Sequence, residues 1–183
     1  MPVPKHVSRN ATAEDYWSLP EGRRAELIDG ALYDMAPPSR THQDIVAGFT
    51  HALRQHVLEH GGPCRVYPAP FAVNLDADDA TWVEPDVSLV CDPSKLSERG
   101  CEGAPDFIVE VVSPTSRRID YLTKATRYER AGVREYWIVD PTIKRTTVYR
   151  YETAGPAPLL APFDIPVEVG VLEGLTITVS KLL

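Results

Sequence analysis

The chain of 183 residues has few cysteines, a deficit of basic charge and no long apolar run. Each shortage removes a class of function. Cys64, Cys91 and Cys101 are scattered, with no CxxC pair, so zinc-ligand spacing is missing. Their odd count, without a signal peptide, fits a reducing cytoplasm. No apolar stretch approaches the roughly 20 residues of a membrane span. The N-terminus, MPVPKHVSRN, lacks the apolar centre of a secretory signal. The expectation is a cytoplasmic protein with no membrane partner. Lys and Arg number 19 against 26 Asp and Glu, a net charge of −7. That balance excludes a basic, non-specific nucleic-acid binder. It leaves room for an enzyme that meets a polyanion through a local site and bound metal ions.

What is present is a globular composition, 43% hydrophobic and 25% charged. Residues 1–11 read as a flexible N-terminal arm and residues 12–183 as a single domain. Thr12 with Asp15 offers an N-cap for a short helix ended by Pro20. RRAELIDGALYDMAPP reads as a hairpin turning at Asp29-Gly30, with Glu26 on its first strand. On pattern alone Glu26 reads as an edge-strand carboxylate in water. Ser39 or Thr41 caps a helix from about His42 to His60, stopped by Gly61-Gly62-Pro63. His56 and His60 have metal-pair spacing, but with no third ligand nearby they read as an exposed helix end. His42, in the first turn, is either a surface histidine or a contact for phosphate. Asp76, Asp78 and Asp79 lack the Gly and distal Glu of a calcium loop and read as a solvated turn.

WVEPDVSLV reads as one strand bent at Pro85, with Asp86 facing the same side as Glu84 and Ser88. PDFIVEVVS is a short apolar strand with one carboxylate, Glu110, on the face of Ile108 and Val112. An ionised Glu among β-branched neighbours is costly, so a cation, a metal ion or protonation must compensate. A helix from about Arg117 to Ala131 puts Tyr121, Lys124, Ala125 and Tyr128 on one face. Lys124 there is either a snorkelling lysine or a functional one. REYWIVDP and RTTVYRYE read as a strand pair, residues 153–166 as an irregular Pro-rich loop and LTITVSKLL as a last strand. The order gives an α/β fold, a mixed β-sheet flanked by helices.

Glu26, Asp86, Glu110 and Lys124 stand out by local context. Asp86 and Glu110 lie on consecutive strand-like segments and can reach one sheet end. Two hard oxygen ligands there suit Mg²⁺ or Mn²⁺. A Lys from the next helix would orient or help deprotonate a water for attack on phosphorus.

The order Pro85-Asp86, then Val109-Glu110-Val111-Val112-Ser113-Pro114, resembles the PD-(D/E)XK nuclease superfamily. More closely, ELIDGALY, THQDIV, EPDVSLV and PDFIVEVVSPTSRRIDYLTKATRYERAGVREYWIVDP are similar to the Uma-type restriction endonuclease family, over about Ala13 to Leu175. The chain departs from the superfamily at Val112, where the motif carries its Lys. In the Uma-type branch that Lys comes from the following helix, here Lys124. The resemblance implies a restriction-endonuclease-like core with added hairpins. It implies Asp86, Glu110 and the Val111 carbonyl as Mg²⁺ ligands, Glu26 as an auxiliary acid and Lys124 as the group that orients the nucleophile. His42 and Gln43 would reach a flanking phosphate, as would Arg117 and Arg118. The implied activity is metal-dependent hydrolysis of DNA. A homodimer pairing through Tyr149 and Tyr151 would suit the cutting of two strands. Two other readings stay open: a catalytically silent nuclease-fold interaction protein, and a hydrolase of small phosphodiesters.

Overall fold

Pro85 has no N–H to give a sheet ladder. In the computed structural model, which describes residues 6–114, 116–152 and 157–183, the segment expected as one bent strand breaks there into two strands of different sheets. In chain order the first elements are β1 (His6–Arg9), α1 (Ala13–Trp17), β2 (Ala25–Ile28), β3 (Ala31–Asp34), α2 (Arg40–His60) and β4 (Arg65–Pro68). Short strands follow: β5 (Val73–Asn74), β6 (Trp82–Val83), β7 (Val87–Val90), β8 (Leu96–Ser97), β9 (Gly100–Glu102) and β10 (Phe107–Val111). A π-helical stretch, Ile119–Lys124, then runs into α3 (Ala125–Ala131). Strands β11 (Glu135–Asp140), β12 (Arg145–Arg150), β13 (Leu159–Pro162), β14 (Val167–Glu168) and β15 (Thr176–Ile177) complete the chain.

The fold is mixed α/β as expected, but built on two large sheets. One runs β1-β3-β2-β6-β5-β9-β8 and the other β13-β12-β11-β10-β7-β4. Strand β10 lies in the middle of the second, parallel to β11 and antiparallel to β7. Its alternation divides two cores. Phe107, Val109 and Val111 pack with Ile45, Phe49 and Leu53 of α2. Ile108 and Val112 pack with Tyr128, Tyr136, Val73 and Val83, where the two sheets meet. Val87 sits opposite Val109. The residue before it, Asp86, therefore arrives beside Glu110 and Val111.

Local chemistry explains the elements that carry the site. In the β2–β3 turn, Asp29 and Gly30 both have positive φ, 52° and 71°, as a tight I′ hairpin requires. The hairpin is closed on both sides, so Glu26 is on an interior strand and not at an edge in water. The Ser39 side chain accepts from the His42 N–H and starts α2 two residues earlier than expected. The expected helix from Arg117 is wound as a π-helix over Ile119–Lys124, which turns both Asp120 and Lys124 inward.

Several expectations need correction. The arm is tied down over His6–Arg9, where β1 pairs with β3; residues 1–5 lie outside the described residues. The Pro-rich loop contains β13, paired along β12, and residues 153–156 lie outside the described residues. The last strand is two residues long and gives way to a 3₁₀ turn, Val179–Lys181. Tyr149 and Tyr151 do not present a free pairing surface. They stack on one another, Tyr149 also stacks on Tyr136, and the Tyr151 hydroxyl donates to the Ala125 carbonyl at 2.8 Å. Cys64 and Cys91 flank the paired ends of β4 and β7, where Arg65 faces Val90. They are joined as a disulfide, against the reading of the cysteines as reduced. Among the described residues no helix is long and apolar enough to cross a membrane.

Candidate active site

Four segments supply the side chains on the floor of a cavity of about 900 Å³. Lys124 is the centre. Its ammonium donates to Glu110 Oε1 at 2.8 Å and to Glu26 Oε1 at 2.9 Å, and stands 3.8 Å from Asp120 Oδ1. All four groups are between 2% and 5% exposed. Glu26 Oε1 also accepts the Glu84 N–H at 2.9 Å, which fixes β2 against the segment that leads to Asp86. The Tyr128 hydroxyl donates to Glu110 Oε1 at 2.9 Å. Both donors thus reach one oxygen, and among the described residues no donor is bonded to Glu110 Oε2. Asp86 Oδ2 accepts the Val111 N–H at 2.7 Å, and Oδ1 lies 3.0 Å from His42 Nε2.

The electrostatics follow from an excess of acid. Burial pushes the Glu110 carboxyl well above its usual range, and Asp86, Asp120 and Glu26 add to the push against the pull of Lys124. Burial alone would discharge Lys124, but Glu110, Glu26 and Asp120 outweigh it and hold the ammonium charged. Burial also raises Asp120 from 3.8 to about 6, opposed by Lys124 and a hydrogen bond from Ser116. The folded chain therefore binds the Asp120 proton more tightly than the unfolded chain does. That contribution to stability is complete below about pH 3.8 and is lost as the pH rises to about 6. Asp120→Asn removes this loss. It should be more stable than wild type at pH 7.5 by on the order of 1–3 kcal/mol, with the gap closing towards pH 4 in urea denaturation. An equal gap at both pH values would contradict the assignment.

The structure brings Glu26, Asp86, Glu110, Val111 and Lys124 together as a group. His42 and Gln43, at the start of α2, line the same cavity. Arg117 and Arg118 do not line it: Arg117 forms an ion pair with buried Asp140 at the end of β11. Glu84 is separated from Asp86 by the break at Pro85 and instead holds Arg24 and the Tyr16 hydroxyl. Sequence reading missed Asp120 and the hydroxyl role of Tyr128. The signal existed, since both lie four positions from Lys124, a spacing that stacks side chains on one helix face.

The donor chemistry fits a small, hard divalent cation. Asp86 and Glu110 offer carboxylate oxygens from adjacent strands, and one ammonium faces three buried acids. Among the described residues no group of three or more His, Cys, Asp or Glu side chains stands at metal-binding spacing. Such an ion would therefore complete its shell with backbone carbonyl, substrate and water, as Mg²⁺ commonly does.

Comparison with known proteins places the chain in a family and a fold. A curated protein of Synechocystis sp., the uncharacterized protein slr1290, is 25% identical over 145 residues, covering 78% of this chain and 75% of its own. The crystal structure described as "a putative nuclease belonging to DUF820" from Anabaena variabilis superposes with a TM-score of 0.75 at 20% identity. It covers 93% of this chain and 96% of its own, and establishes a shared fold. The family model Uma2, described as "Putative restriction endonuclease", matches residues 13–180, so from the first helix to the last turn this chain belongs to the Uma2 family.

Proposed function

We propose that the chain is a Mg²⁺-dependent nuclease that hydrolyses phosphodiester bonds of DNA. The observation that carries the reading is Lys124 bridging Glu110 and Glu26 on the floor of a cavity that also holds Asp86. Asp86 and Glu110, with the Val111 carbonyl, would hold the metal, and Mn²⁺ would suit the same oxygens. When bound, the ion supplies charge neutralisation at the phosphate and lowers the pKa of water.

The protein's own groups do the rest. Lys124 is held charged by its acidic neighbours. It therefore serves as a fixed donor, orienting the attacking water and stabilising charge developing on the phosphoryl oxygens, and not as the base. Glu26 keeps that ammonium in place and is the auxiliary acid beside the water. Tyr128 fixes the Glu110 carboxylate through Oε1. The Val111 N–H and His42 fix Asp86, and a cation on Asp86 would compete with the His42 contact. A homodimer belongs to this proposal; a monomeric mass in solution scattering would count against it.

Plasmid nicking tests the reading. Wild type should nick supercoiled DNA in Mg²⁺ and not in a chelator, and Asp86→Ala and Lys124→Ala should be inactive in both. Equal activity in all three proteins would overturn it. The second reading, a silent nuclease fold, is favoured by one fact: Lys124 is already satisfied by Glu26 and Glu110 without a metal. Wild type that nicks in neither condition would select it.

A further inference from the structure

The cavity that holds the site is lined mainly by acidic and apolar side chains. Five carboxylates line it, Glu26, Asp34, Asp86, Glu110 and Asp120, and among the described residues the only lysine and arginine are Lys124 and Arg24. Both cations are spent. Lys124 is bound by Glu110 and Glu26, and Arg24 donates to Glu84 through Nε at 2.9 Å and Nη2 at 2.6 Å. The arginines expected to meet phosphate lie elsewhere, Arg117 being paired with Asp140. Duplex binding draws its affinity from Lys and Arg that neutralise phosphates, and no unpaired Lys or Arg lines this cavity among the described residues. The side chains proposed to act are also deep, Glu110 being 5% and Lys124 4% exposed. A stacked duplex is stiff and carries its phosphates on the outside of a wide cylinder, so reaching such a floor requires the strand to leave the stack. The walls suit what then enters. Pro37, Pro38, Met35, Pro114, Ile119 and Pro141 present apolar surface to the space above the acids, the kind of surface that shelters a base face.

Resting on the nuclease reading above, we propose that this site takes single-stranded nucleic acid, or an unpaired stretch within a duplex, in preference to continuous duplex. Supercoiled plasmid, whose strands open locally, is a substrate of the same kind. The test uses the full chain and one labelled 30-nucleotide sequence as single strand, as perfect duplex and as duplex with an unpaired flap, in DNA and RNA forms, with Mg²⁺ or Mn²⁺. The single strand and the flap should be cut at least tenfold faster than the duplex, and duplex cut as fast would overturn the proposal. The DNA and RNA arms identify which sugar the site accepts.

Binding without metal, read by fluorescence anisotropy, keeps the proposal separate from the nuclease reading. If nothing is cut, the nuclease reading fails, while single strand bound at least tenfold tighter than duplex still supports this one. Duplex bound equally or more tightly overturns it. The logarithm of affinity should fall with the logarithm of salt with a slope of about −0.7 to −1.4, as for one or two phosphates of a single strand. A slope near −6 would overturn the proposal. Pro38→Glu, on the exposed part of the wall, should weaken single-strand binding at least threefold with an unchanged melting temperature; unchanged binding would count against the wall assignment.

Discussion

Lys124→Met should lower phosphodiester cleavage by about 10³-fold, the scale seen when one preorganised donor to a developing charge is removed. Its effect on folding should be large as well. The ammonium is the counter-charge of Glu110 and Glu26, both 5% exposed. Breaking a buried ion pair by deleting one partner costs about 3–5 kcal/mol because the other charge stays buried. Against a total stability of about 5–15 kcal/mol, the variant folds but with a melting temperature lowered by roughly 10 °C. The pH dependence identifies the cause. Without Lys124 the proton affinity of Glu110 rises further, since the positive charge that lowers it is gone. The folded variant therefore gains stability relative to wild type as the pH falls, and the difference in unfolding free energy should shrink between pH 8 and pH 5. A variant that loses stability equally at both would mean that packing, and not charge, is what Lys124 supplies.

Asp86→Asn should separate activity from stability in the opposite way. The amide oxygen still accepts the Val111 N–H, now at 2.7 Å from Asp86 Oδ2. The substitution also removes one of the negative charges that raise Glu110. Unfolding free energy should be unchanged or higher by up to about 1 kcal/mol, while cleavage falls by about 10³-fold. Asp86→Ala should lose activity equally but also lose about 1–3 kcal/mol of stability, because a buried N–H is left without an acceptor. Equal stability of the two variants would show that the Val111 bond contributes nothing measurable. An active Asp86→Asn would remove Asp86 from the chemistry.

The parts of this site legible in the sequence are those where a residue contradicts its local pattern. Glu110 was visible because an ionised group in a β-branched strand needs a partner, and the partner is there. Lys124 was visible because a lysine on an apolar helix face has easier positions nearby. The hairpin at Asp29-Gly30 was visible because positive φ at both turn positions restricts the residue types. What stayed hidden depends on long-range assembly. Pro85 marked a bend, but a missing N–H does not say that the next residue enters another sheet. Glu26 resembled an edge carboxylate because nothing local announces the strands that close around it. The π-helical turn over Ile119–Lys124 leaves no mark in composition, yet it brings Asp120 to face Lys124. Cys64 and Cys91 meet only because β4 and β7 pair in one register.

Calorimetric titration of the full chain with Mn²⁺ at pH 7.5, wild type against Glu110→Gln, tests the assignment of Glu110 as a metal ligand. Wild type should bind saturably, with a rise in melting temperature that grows with metal concentration, and Glu110→Gln should show neither effect. Wild type that shows no heat and no shift at millimolar Mn²⁺, or a Glu110→Gln variant that binds as well as wild type, would contradict it.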